Sequence, residues 1–134
     1  TGGKGVHVIA PVQRRREWPD VKTFAKGLAQ KLADASPDRY VAKSSKAARK
    51  GKIFIDWLRN ERGATAVAPY SLRARPGAPA ATPVSWRELA KAEAANIYTL
   101  DNIAARLSRL RSDPWDGYDG ARQSITDSVL DFVA

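Results

Sequence analysis

The chain contains no cysteine and no methionine, and His7 is the one histidine among its 134 residues. Without cysteine there is no disulfide, no thiolate nucleophile and no cysteine-ligated zinc. A single histidine rules out a histidine-rich metal centre within one copy. No apolar run approaches the roughly 18 residues of a membrane-spanning helix, and no signal-peptide pattern is visible at the N-terminus. The missing methionine fits a clipped start or an internal fragment equally well. No Asp-x-Asp pair occurs. The chain therefore lacks the paired carboxylates around which two-metal phosphoryl and nucleotidyl transfer are normally built.

Acidic residues are also scarce, 14 against 23 basic ones, for a net charge of +9 and a pI near 10.2. Such a balance favours polyanionic partners: DNA, RNA or nucleotides. The charge is uneven. Residues 112–134 carry five aspartates and one arginine, a net of −4, which leaves +13 on residues 1–111. A basic body is thus followed by an acidic C-terminal segment. The length fits one domain, and 43% hydrophobic residues can bury a modest core.

Hydrophobic spacing predicts a strand over residues 4–12, which alternates and then runs apolar through Val8, Ile9 and Ala10 to Pro11. Arg14, Arg15 and Arg16 follow as a basic loop. A helix begins at Pro19-Asp20, with Val21, Phe24, Leu28 and Leu32 on one face, widened by Ala25 and Ala29, and stops at Ser36-Pro37-Asp38. Residues 43–52, KSSKAARKGK, hold five basic and no acidic side chains and lead into a buried strand from Lys52 to Leu58. Ser71 to Arg75 alternates like a strand, and Pro76 to Pro83 reads as a Pro/Ala-rich loop. Further helices are expected over Trp86–Ala95, over Asp101–Arg111 with Thr99 as a cap, and over Ser124–Val133.

The opening Gly2-Gly3-Lys4-Gly5 carries the sharpest chemistry. Such a turn lets backbone N–H groups approach a polyanion, and Lys4 adds a point charge. It is not a P-loop, which needs a longer glycine spacing and Ser or Thr after the lysine. Taken alone it reads more readily as a hairpin turn, and His7 as a plain strand histidine. Arg73 and Arg75, two apart on a strand, share a face. They imply either an anion between two guanidiniums or a surface strand paired with acid. Asp56 sits among Ile53, Phe54, Ile55, Trp57 and Leu58 and must pair with an arginine such as Arg59 or Arg62 or bind a cation. The basic 43–52 run is a solvated face or a phosphate-seeking loop that brings Arg49 toward Asp56. Four tryptophans offer stacking surfaces for bases, although core positions are the expectation for most of them.

The runs TGGKGVHV, RKGKIFIDWLRNERGATAVAPYSLRARPGAP and TPVSW resemble the polymerase domain of bacterial ligase D, of the archaeo-eukaryotic primase superfamily, which serves non-homologous end joining. The match is dense from Thr1 to Trp86 and weaker through Leu107 to Trp115. The resemblance implies an α+β fold, with an antiparallel or mixed sheet flanked by helices. It implies that the family's Ser/Thr-Gly-Gly-x-Gly-x-His motif falls on Thr1, Lys4 and His7, which would bind an incoming nucleoside triphosphate. Arg49, Arg73 and Arg75 match positions near that triphosphate, and Asp56 matches the third metal carboxylate. The family's Asp-x-Asp motif lies N-terminal to the glycine turn, so the chain resembles only the C-terminal part of that domain. Its upstream half is then removed, carried on another polypeptide, or missing in a reduced homologue.

These expectations add up to part of a repair nucleotidyltransferase that adds NTP or dNTP to DNA 3′ ends with Mn²⁺ or Mg²⁺. The metal site is incomplete in this chain, which on its own would be inactive. Expected partners are DNA ends, nucleotides, the missing half or a ligase domain, and an end-binding repair protein, in the bacterial cytoplasm at the nucleoid. The alternatives are a non-catalytic nucleic-acid-binding module and a small-nucleotide sensor.

Overall fold

The computed structural model describes all 134 residues, Thr1 to Ala134. The chain folds into two compact units, one of residues Thr1–Pro11 with Val67–Arg122, the other of Val12–Ala66 with Gln123–Ala134. The switch at Arg122 does not follow the charge boundary near residue 112. Helices and short strands occur together, as the α+β expectation requires. No helix is long and apolar enough to cross a membrane.

The Val12–Ala66 unit is organised by helix α1, Trp18–Ala35. Pro19 suits its first turn, where the missing N–H has no helical partner anyway, and Asp20 complements the helix dipole. The helix stops where Pro37 cannot continue it. The buried face, however, is Ala29 and Ala33, while Leu28 and Leu32 are exposed. The expected leucine stripe is therefore rotated. The cause is helix α4, Asp127–Val133, which packs on the small residues of α1 and buries Val133. Close approach outweighs side-chain size here. Helix α4 starts three residues later than predicted because Thr126 is its cap, accepting from the Val129 N–H at 3.3 Å. The preceding segment is tied by the Gln13 N–H to the Gln123 carbonyl, 2.8 Å, and by Arg16 Nε to the Ile125 carbonyl, 2.9 Å.

Strands β1 (Tyr40–Val41) and β2 (Ile53–Phe54) form a two-stranded parallel pair in the same unit. The strand expected from Lys52 to Leu58 is shortened for a local reason. After the Ile55 N–H donates to the Val41 carbonyl, the Asp56 carboxylate captures the Leu58 N–H at 3.1 Å and starts a turn. The lysine-rich connection, residues 42–52, holds a run of turns and passes through Gly51 with φ +72°.

The other unit is centred on Pro79, Ala80 and Ala81, all buried. This is the segment expected to be a loop. Its backbone is bonded on both sides. The Ala81 N–H reaches the Ser71 carbonyl (2.9 Å) and the Ala80 N–H the Tyr98 carbonyl (2.8 Å), while the Arg73 N–H reaches the Pro79 carbonyl (2.8 Å). The result is a narrow antiparallel arrangement of residues 70–73, 78–81 and 98–100, with bridges at Leu72–Ala80 and Pro79–Thr99. Satisfied backbone groups, not side-chain bulk, make this the core.

Helix α2, Trp86–Lys91, opens with a capping box in which Ser85 and Glu88 exchange hydrogen bonds, and α3 spans Ile103–Arg109. Thr99 is not the side-chain cap of α3; its N–H donates instead to Asn102 Oδ1, 2.8 Å. The expected strand over residues 4–12 is absent. Val6 to Ala10 make no backbone hydrogen bonds to other backbone groups, and Val6, Val8 and Ile9 are exposed.

Candidate functional site

The N-terminal glycines form a compact turn whose Gly2 and Gly3 N–H groups already have partners within the chain. The Thr1 hydroxyl donates to the Gly5 carbonyl at 2.5 Å, and the Gly3 N–H donates back to the Thr1 hydroxyl at 3.3 Å. The loop is thereby closed on itself, with Lys4 exposed at its tip. Gly2 anchors it. Its N–H donates to the Ala95 carbonyl at 3.1 Å, and the residue is buried with φ +64°. A Cβ there would lie 3.0 Å from both the carbonyl carbon and oxygen of Ala80. Only glycine supplies both the left-handed backbone and the close approach.

Gly2→Ala should therefore destabilise the chain by about 1–3 kcal/mol. Gly120→Ala, which meets no atom within 4 Å, should stay within about 0.5 kcal/mol of the parent. Urea unfolding of the two variants checks this; equal midpoints would show that the turn is not seated on Ala80.

Arg73 lies under this turn, half-buried, with Nη1 3.5 Å from the Thr1 carbonyl. Arg75 does not share its face in a strand. The Arg75 N–H turns back onto the Arg73 carbonyl at 2.8 Å, a three-residue turn that ends the alternation, and Arg75 is exposed. Thr1 and His7 line a cavity of about 400 Å³ in the same unit, with Ala80, Tyr98, Trp86 and Trp115 on its walls. That volume lies within the range of small-molecule sites. Trp115 stands edge-on to Tyr118, with centroids 5.0 Å apart. The expectation that tryptophans are core fails for Trp86, which is 75% exposed, and for Trp18.

Arg49 and Asp56 belong to the other unit. The Arg49 guanidinium stacks on Phe54, 4.7 Å from the ring centroid, a cation–π contact that orients an otherwise exposed side chain. Asp56 is exposed and pairs with neither Arg59 nor Arg62. Its oxygen accepts the Leu58 N–H, and Arg59 donates to the Thr65 carbonyl. The forced pairing predicted for Asp56 is thus resolved by exposure. The chain contains no cluster of three His, Asp or Glu side chains that could hold a metal ion. Asp56 alone does not make a site for Mn²⁺ or Mg²⁺.

Sequence reasoning passed over a half-buried ion pair. Arg106 Nη2 and Nε donate to Glu88 Oε1 at 2.9 and 3.1 Å, and Nη2 also reaches the Pro83 carbonyl at 2.7 Å. Burial pushes the Glu88 carboxyl up. The hydrogen bonds from the Ser85 N–H and from Arg106 outweigh it and hold the group below its ordinary range. Its one sequence signal was Ser85-x-x-Glu88, the spacing of a capping box.

Residues 1–115 match the model of the LigD primase-polymerase domain. The chain belongs to that family. It is 46% identical over 127 residues to the multifunctional non-homologous end joining protein LigD of Pseudomonas aeruginosa, covering 94% of this chain and 15% of that protein. The LigD of Mycolicibacterium smegmatis is 35% identical over 107 residues, covering 80% of this chain and 14% of that protein. The solved polymerase domain from Mycobacterium tuberculosis ligase D, in complex with DNA, superposes with a TM-score of 0.68 at 32% identity, covering 77% of this chain and 35% of that one. The chain thus spans about a seventh of the length of these two curated relatives. The resemblance read from TGGKGVHV and the arginine-rich run is borne out, and so is the α+β class.

Proposed function

We propose that this LigD primase-polymerase chain supplies the nucleoside triphosphate-binding part of a DNA-repair nucleotidyltransferase that extends DNA 3′ ends. The observation that carries the reading is the closed Thr1–Gly5 turn, seated on Ala80 with the Arg73 guanidinium beneath it and Lys4 at its tip. Lys4, His7, Arg73 and Arg75 would neutralise a triphosphate, and Thr1 would orient it. Arg49 would add a further guanidinium. Asp56 would be one carboxylate of a Mn²⁺ or Mg²⁺ site whose remaining ligands come from polypeptide outside these 134 residues. The metal's part would be to activate the attacking hydroxyl and bind phosphate oxygens. The alternative, a non-catalytic nucleic-acid-binding module, draws on the net charge of +9.

The test is the pure chain with Mn²⁺ and a primed DNA. The expected result is measurable ATP binding, weakened by Lys4→Gln, with no primer extension. DNA binding should fall steeply, by orders of magnitude, between about 50 and 200 mM salt. Extension by the pure chain would overturn the need for outside carboxylates. DNA binding without ATP binding would favour the binding module.

A further inference from the structure

Arg106 lies remote in sequence from every residue assigned above, and its side chain is only 9% exposed. It meets three separate pieces of its unit. Its guanidinium bonds Glu88 on α2, lies over the Tyr98 ring at 4.7 Å from the centroid, and donates to the Pro83 carbonyl. Tyr98 closes the circuit, its hydroxyl donating to Glu88 Oε1 at 3.3 Å. Nη1 is buried without a partner, so Nε and Nη2 alone make these bridges. Pro83 follows the core segment on one side, and Tyr98 lies in the segment that pairs with it. Between them the Ala80 N–H donates to the Tyr98 carbonyl, and the Leu100 N–H to the Ala78 carbonyl, 3.1 Å. Ala80 is the floor against which Gly2 packs, and Pro79 holds the backbone of Arg73. A shift of residues 78–83 would thus move the glycine turn and Arg73 together.

We propose that Arg106 is a positioning residue for the triphosphate-binding turn: by clamping Pro83, Tyr98 and Glu88 it fixes the Pro79–Ala81 floor on which Gly2 and Arg73 are set. The proposal rests on the triphosphate reading only for its functional consequence. A lysine cannot replace the arginine, because one ammonium lacks the planar fork that meets Glu88 and Pro83 at once.

The experiment compares Arg106→Gln, Arg106→Lys and Glu88→Gln with Ile125→Ala, a core truncation in the other unit chosen for a similar loss of melting temperature. Amide hydrogen exchange is followed at Gly2, Arg73 and Ala80, and ATP affinity is measured by calorimetry. Expected for both Arg106 variants is exchange about tenfold faster at those three amides and an ATP affinity about tenfold weaker. Ile125→Ala should change neither. Glu88→Gln, which keeps the shape and one acceptor, should show a smaller change at the same amides and serves if the Arg106 variants do not fold. Equal exchange in the Arg106 variants and in Ile125→Ala would overturn the proposal, as would full rescue by lysine. A parent chain that does not bind ATP would sink the triphosphate reading, while the exchange pattern would still decide the positioning role.

Discussion

Gly27→Ala should lower the thermal midpoint of the chain by about 5 °C or more. The sign is opposite to the usual one. In an exposed helix interior, replacing glycine by alanine stabilises by about 0.5–1 kcal/mol, because glycine has more freedom to lose. At Gly27 the added methyl would collide with the Val133 carbonyl oxygen and stand 2.8 Å from Val133 Cβ and 2.9 Å from its carbonyl carbon. Two of those atoms are backbone and cannot rotate away. Helix α4 would have to retreat from α1, uncovering Val133, Ala29 and Ala33, which belong to the buried hydrophobic core. Overpacking of this kind costs about 1–3 kcal/mol and sometimes more, so the steric loss exceeds the gain in helix propensity. Circular dichroism melts of the parent and Gly27→Ala decide the matter. An unchanged or raised midpoint would mean that α4 does not close on α1 at this glycine.

Gly27 also shows where reading the sequence succeeds and where it stops. The helix around it was legible, since a 3.6-residue apolar repeat, Pro19 at the start and Pro37 at the stop are local signals. Its buried face was not, because Ala29, Ala33 and Gly27 are chosen by a partner helix that ends at Val133, far along the chain. The same limit explains the Pro79–Ala81 core. Proline and alanine in a row read as a loop, and nothing local says that both flanks will be hydrogen-bonded. Positive φ at Tyr70 and Ala78, at the edges of that core, likewise has no sequence signal. The strand through Asp56 was over-extended because its composition is apolar, while an aspartate two residues before an accessible N–H favours a turn. Thr1 to Gly5 were legible as a compact turn because their geometry is local. Arg106 was not, because its three partners come from separate segments and it carries no motif.

Asp56→Asn has the largest effect expected on activity. The exchange of one carboxylate oxygen for an NH2 group is well suited to isolate charge. The Oδ1 of the new amide can still accept the Leu58 N–H that Asp56 holds at 3.1 Å, so the turn after β2 survives. The residue is exposed and has no ionic partner, so stability should change by no more than about 0.5 kcal/mol. What is lost is a full negative charge at the position proposed to ligate a divalent ion. Because this chain provides no second and third carboxylate, the measurement needs a context that does. The resemblance to ligase D implies that they lie N-terminal to the glycine turn, so the test replaces the matching 127-residue region of the Pseudomonas aeruginosa LigD, at 46% identity, with residues of this chain. The chimera should extend a primed DNA with Mn²⁺. Asp56→Asn in the chimera should reduce that extension on the order of 10³-fold, by removing charge stabilisation from the transferring phosphoryl group. ATP binding by the isolated chain should be nearly unaffected, since the triphosphate is assigned to Lys4, His7 and the arginines. A chimera that extends DNA equally well after Asp56→Asn would remove Asp56 from the chemistry and leave the glycine turn as a binding element alone. A chimera that binds DNA without extending it, while the parent relative does extend it, would favour the non-catalytic module.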